Sequence, residues 1–154
     1  HMNILRNRIA NQDGCFMGLQ GYAWALEQGA KKGYHCHLLL IYDPSKRLSD
    51  WYLADQVGKL WQSITGNLGW YFNCNTTEHK QKFMRNNRLG VGNIQCNVQL
   101  EVSNAFNTGM YLVNPEKYAQ HLRAKIPYMR SFGTGQFEVH WRRGVAQTLQ
   151  QCGF

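Results

Sequence analysis

The run Tyr22-Ala-Trp-Ala-Leu-Glu27-Gln28 mixes aromatic and small apolar residues in a way that suits a β-strand. The glycine-flanked turn Gly29-Ala-Lys-Lys-Gly33 separates it from a second strand, Gly33 to Tyr42, which reads GYHCHLLLIY, so the two predict a hairpin. Asp43-Pro44-Ser45 turns the chain. Ser49 or Asp50 then caps a predicted helix whose Leu53, Val57, Leu60, Trp61 and Ile64 share one face before Gly66 ends it. Further on, Gly69 to Cys74 reads as a short strand and Thr76 to Asn87 as a polar, basic loop or short helix. Asn93 to Val102 alternates apolar and polar residues and reads as another strand. Ser103 is expected to cap a helix reaching about Asn114, where Pro115 limits continuation. Its apolar stripe is Phe106, Met110 and Val113. Tyr111 sits off that stripe, near Asn104, Asn107 and Thr108, which points its hydroxyl to a polar site. Pro115 to Lys125 reads as a further helical segment. Strands mixed with helices predict an α+β fold with an antiparallel central sheet and helices packed on it.

Composition bounds what such a fold can be. With 154 residues and 44% hydrophobic content the chain suits one domain with its own core, residues 1–154, in which His1-Met2 looks like a cloning remnant. The longest apolar run is far too short to span a bilayer and there is no secretory signal near the start, so no membrane association is expected. Five cysteines, at 15, 36, 74, 96 and 152, are odd in number and include no CxxC pair. They argue against a disulfide framework and point to a reducing, cytoplasmic setting.

Seventeen Lys and Arg against nine Asp and Glu give a net charge of +8 and a pI near 9.4. That excess biases the surface toward polyanions, nucleic acid first. The cations are scattered along the chain, so a folded groove fits better than a basic tail. Arg85 and Arg88 in the polar loop, and Arg130, Arg142 and Arg143 toward the end, are the candidate phosphate contacts. Trp51, Trp61, Trp70, Tyr71 and Trp141 are stacking platforms by type, with Trp61 expected in the core. His79, His121 and His140 each stand alone and read as solvent-exposed.

The strongest chemical signal is His35-Cys36-His37. Side chains alternate faces along a strand, so the two imidazoles share one side. A hairpin centred near Lys31 sets Glu27 opposite His35 and small Ala25 opposite His37. Two imidazoles and a carboxylate with coordination positions left open describe a catalytic rather than a closed structural metal site. The same residues also read as a hydrogen-bonded structural pair on a sheet face.

These features together resemble the HUH endonucleases, the single-strand DNA nickases of rolling-circle replication and conjugation. The closer likeness is to the inovirus-type replication-protein family of filamentous phages, satellites and prophages. Members of that family carry a strand like GYHCHLLL, then a helix ending Tyr-Leu-Ala-Lys, then a basic turn near Arg-x-Phe/Tyr-Gly-Thr-Ser-Arg-Phe. The corresponding residues here are Gly33 to Leu40, Tyr111-Leu112-Val113-Asn114, and Arg130-Ser131-Phe132-Gly133-Thr134-Gly135-Gln136-Phe137. The order and spacing of all three motifs carry the likeness, over roughly residues 20 to 137. Two features depart from it. Asn114 replaces the family lysine, with Lys117 as a nearby substitute. Only weakly patterned residues precede the hairpin, so either Ile4 to Ile9 forms the missing edge strand or an upstream segment is absent.

The resemblance implies a ferredoxin/RRM-like core and a metal-dependent endonuclease that nicks and joins single-stranded DNA. Such an enzyme initiates rolling-circle replication of a phage or mobile element in the bacterial host cytoplasm. Mg²⁺ or Mn²⁺ would sit on Glu27, His35 and His37. Tyr111, with Tyr118 in reserve, would be the nucleophile that forms a 5′-phosphotyrosine link. Partners would be single-stranded DNA or an origin hairpin, with a helicase. Asn114 keeps open the alternative of a catalytically inactive, HUH-like DNA-binding or regulatory protein. A purely structural zinc domain is the third reading.

Overall fold

Leu5 and Ile9 lie one helical turn apart and are both buried. That spacing makes the N-terminal residues a helix, α1 (Met2–Ala10), and not the edge strand expected over Ile4 to Ile9. Gln12 closes it at φ +52°, with the amides of Gln12 and Asp13 donating back to the carbonyls of Ile9 and Arg8 in the pattern of a Schellman cap. The computed structural model describes residues 1–29, 33–46, 49–114 and 130–137. The expected helical segment Pro115 to Lys125, and with it Lys117, Tyr118 and His121, lies outside the described residues, as do His140, Trp141, Arg142 and Arg143.

The order of elements is α1, a 3-10 turn (Gly14–Phe16), β1 (Leu19–Gly29), β2 (Gly33–Tyr42), α2 (Asp50–Ile64), α3 (Thr77–Met84) and α4 (Gln99–Met110). A second 3-10 turn (Tyr111–Val113) and β3 (Phe132–Gln136) follow. The class is α+β. The chain divides into two compact units, the first made of residues 1–19 and 42–105. The described part of the second is 20–29, 33–41, 106–114 and 130–137.

In the first unit α1, the Gly14–Phe16 turn and α2 pack on one another around buried Leu5, Ile9, Phe16, Leu19 and Leu53. α2 starts and stops where its sequence predicts. Gly66, at φ +61°, turns the chain so that its amide reaches the Ser63 carbonyl and the Asn67 amide that of Gln62. Among the described residues the expected strand Gly69 to Cys74 does not form. The Tyr71 ring lies flat on Gly58 of α2, where a Cβ would overlap it, and its hydroxyl donates to Asp55 Oδ1 at 2.8 Å. These contacts hold residues 69–74 across the helix. Thr76 caps α3 by accepting from the His79 amide.

The expected strand Asn93 to Val102 is also replaced, by a turn and the start of α4. Glu101 reaches back from the first turn of the helix, past its N-cap, to accept from the Gln95 amide at 2.7 Å. Val98, Val102 and Ala105 are then half-buried at helical spacing. Ser103 lies inside α4 rather than at its cap. The stripe expected on Phe106, Met110 and Val113 is exposed, and the buried residue at this end of the helix is Leu112.

In the second unit β1 is the middle strand of a three-stranded sheet, in the order β2-β1-β3. A connection this short between neighbouring strands makes β1 and β2 antiparallel. β3 is antiparallel to β1, pairing Tyr22 with Gly135 and Trp24 with Gly133. It is a strand where the sequence predicts a basic turn. The physical reason lies across the ladder: each glycine faces an aromatic ring that lies over it, leaving no room for a side chain.

Candidate metal centre

Parity along β1 sorts its side chains. Tyr22 and Trp24 face one side over the glycines of β3, while Gly21, Ala23, Ala25 and Glu27 share the other. Three small residues therefore precede one carboxylate, and Glu27 is buried, at 8% exposure. His35 and His37 from β2 turn toward it. Glu27 Oε2 lies 3.4 Å from His35 Nε2 and 3.3 Å from His37 Nε2. The three ligand atoms all fall within 4.8 Å of one another. The sequence-predicted triad is thus brought together on one face.

The donor set fits a metal ion. His35 Nδ1 lies 3.3 Å from the Gly33 carbonyl, an acceptor only, so the tautomer with its proton on Nδ1 donates there and turns the Nε2 lone pair toward Glu27. A lone pair aimed at a carboxylate oxygen is repelled unless a proton or a cation lies between them. Metal–ligand bonds of about 2.0–2.2 Å separate adjacent donors by about 3.0–3.6 Å, a range that includes both Glu27–His distances. Among the described residues these three supply the cluster, which leaves coordination positions for a substrate or water.

Within the second unit, the last turn of α4 and the turn after it lie against the same side of β2. A Cβ on Gly109 would lie 3.7 Å from Leu39 Cδ2. Two residues on, the Tyr111 ring meets the His37 ring edge to face, with centroids 5.4 Å apart and planes at 90°. Tyr111 is 48% exposed, so its ring rests against the cluster while remaining open to solvent. Asn114 ends the 3-10 turn. Behind the histidines, Cys36 points to the opposite face, and its Sγ donates to the His37 carbonyl at 3.5 Å. Burial, reinforced by the Glu27 charge, pushes its thiol up to about 12, so it stays a neutral thiol.

The remaining candidates are not joined to this cluster by any described contact. Arg130 is exposed just ahead of β3. Arg85 and Arg88 are exposed at and beyond the end of α3, in the first unit. Of the aromatic candidates, Tyr71 is committed to Gly58 and Asp55. Trp61 is half-buried and packs against the His1 ring, while Trp51 and Trp70 are exposed. His79, expected to stand alone in solvent, is instead half-buried between Phe72 and Phe83. The His79/Phe83 part of this contact was legible as an i, i+4 pair once Thr76 to Asn87 is taken as a helix.

No protein-family model, curated protein or solved structure matches the chain.

Among the described residues no helix is long and apolar enough to cross a membrane.

Proposed function

We propose that the chain is a metal-dependent endonuclease that nicks and rejoins single-stranded DNA through Tyr111, initiating rolling-circle replication of a phage or mobile element. The observation that carries this reading is the Tyr111 ring seated against His37, beside two imidazoles and a buried carboxylate on one sheet face. A divalent ion held by Glu27, His35 and His37 supplies Lewis-acid stabilisation of charge on a non-bridging phosphodiester oxygen. Imidazole donors favour Mn²⁺ over Mg²⁺ at such a site.

Tyr111 Oη bonds to phosphorus as the P–O3′ bond breaks. The phenolic proton ends on the departing 3′-oxygen, leaving a 5′-phosphotyrosine and a free 3′-hydroxyl. The phosphoester bond is conserved in this exchange, so the reverse attack by a 3′-hydroxyl joins ends. The substrate is single-stranded DNA or the exposed strand of an origin hairpin, made available by a helicase.

One observation favours a second reading. Asn114 is neutral where the related motif has a cation, so a protein that binds the origin without cleaving it is the alternative. Incubation with Mn²⁺ and a pool of labelled single-stranded oligonucleotides, run on a denaturing protein gel, separates the two. A labelled band lost on Tyr111→Phe and with EDTA supports the nickase. An absent band, with origin binding intact in a parallel shift assay, supports the binder.

A further inference from the structure

Two local periodicities bring four rings together in the first unit. Trp70 and Phe72 are two apart in the irregular stretch before α3, and His79 and Phe83 are four apart on α3 itself. The rings meet in series, with centroid separations of 6.3 Å for Trp70–Phe72, 5.2 Å for Phe72–His79 and 5.0 Å for His79–Phe83. Water reaches most of this ladder: Trp70 is 77% exposed and Phe72 58%. Burial and the neighbouring Lys82 charge hold the His79 imidazole below its ordinary range, so it is a neutral ring at pH 7.

Charge identifies what such a surface fits. Lys80, Lys82, Arg85 and Arg88 lie on α3 and the turn after it, with Glu78 the one carboxylate in that stretch. Lys80 pairs with Asp50, whereas Lys82, Arg85 and Arg88 form no ion pair among the described residues. A chain of net charge +8 repels a second copy of this face. Flat apolar rings beside uncommitted cations complement a polyanion whose bases are unstacked and free to lie on them.

We infer that the Trp70–Phe72–His79–Phe83 ladder is a stacking platform for single-stranded DNA, with Lys82, Arg85 and Arg88 holding the phosphates. The platform rests on the proposed function only for the choice of DNA over RNA, and it uses neither the metal centre nor Tyr111. It binds bases without reading their sequence.

The test is fluorescence anisotropy with a labelled oligo-dT of about 20 nucleotides, in EDTA, titrated from about 50 to 200 mM salt. Trp70→Ala/Phe72→Ala weakens binding about tenfold or more at an unchanged salt slope, and Trp70→Phe retains most of the affinity. Arg85→Ala/Arg88→Ala lowers the slope of log K against log salt by about 1.4. Circular dichroism checks folding, and Trp70→Ala alone serves if the double variant misfolds. Unchanged affinity in folded aromatic variants overturns the inference. So does absence of binding by the native chain, tighter binding of oligo-U, or a dimer in sizing experiments that Trp70→Ala dissociates without affecting DNA. Failure of the nickase reading looks different: the Mn²⁺-dependent adduct is missing while binding in EDTA persists.

Discussion

The ring of Tyr111 stands edge-on to the ring of His37, 5.4 Å between centroids, although 73 residues of chain separate the two. The contact is between rings, so Tyr111→Phe keeps it, and on the proposed nickase reading the same variant abolishes the covalent DNA adduct. Tyr111→Ala removes the ring as well and destabilises by about 0.5–1 kcal/mol. Urea melts of the two variants beside the adduct gel check the pair; an adduct that survives Tyr111→Phe assigns the nucleophile elsewhere.

Metal binding should be visible without activity. Saturating Mn²⁺ at about a hundred times its dissociation constant stabilises by about 2.7 kcal/mol, which raises the thermal midpoint of a chain this size by about 5–10 °C. EDTA reverses the rise. Glu27→Gln keeps the shape but removes the anionic donor, and His37→Ala removes an imidazole, so both should lose the Mn²⁺ response. A response unchanged in both variants places the ion at another site.

Cys36 makes a prediction with a definite sign. Its thiol is raised from 9.0 to about 12 in the folded protein, first by burial and then by Glu27. Above pH 9 the unfolded chain releases this proton while the folded chain keeps it, so stability is fully present below pH 9 and falls as pH rises toward 12. Cys36→Ala should flatten that part of the stability profile. Alkylation at pH 8 followed by mass spectrometry should label exposed Cys96 well before Cys36.

The glycines of β3 are spacers for aromatic rings. Gly133→Ala puts a methyl into the Trp24 indole and Gly135→Ala puts one into the Tyr22 ring. Each should destabilise by about 1–3 kcal/mol, read by denaturant melts. Thr134→Ala, between them and exposed, should cost little.

Much of the candidate site was legible before any coordinates. A period of two fixes His35 and His37 to one face whatever the rest of the protein does. A glycine-flanked turn centred near Lys31 then sets Glu27 on the histidines' face, where an odd shift of register would have sent it to the other, and the observed Glu27–His distances match the centred register. The α2 helix was equally legible, because its apolar face and Gly66 give the same answer, although Ser49 at its N-terminus makes no side-chain capping bond. These are local determinants: each acts within a few residues.

Where local signals were balanced, packing decided. Residues 93–102 alternate like a strand, yet Ile94, Val98 and Val102 also recur every fourth position, and the reach of Glu101 back to Gln95 selects the helix. Residues 69–74 have strand-like aromatics, but Tyr71 gains a flat seat on Gly58 and a hydrogen bond to Asp55. β3 could not be read from Phe-Gly-Thr-Gly-Gln because its side-chain partners, Trp24 and Tyr22, lie on a strand more than a hundred residues away. By itself the sequence determined which residues could form a metal-binding cluster, since alternation along a strand and a tight turn are short-range geometry. Only the tertiary structure decided that Tyr111 meets His37 and that four rings gather around α3. Those juxtapositions depend on how elements pack, and packing is set by surfaces that no single stretch of chain contains.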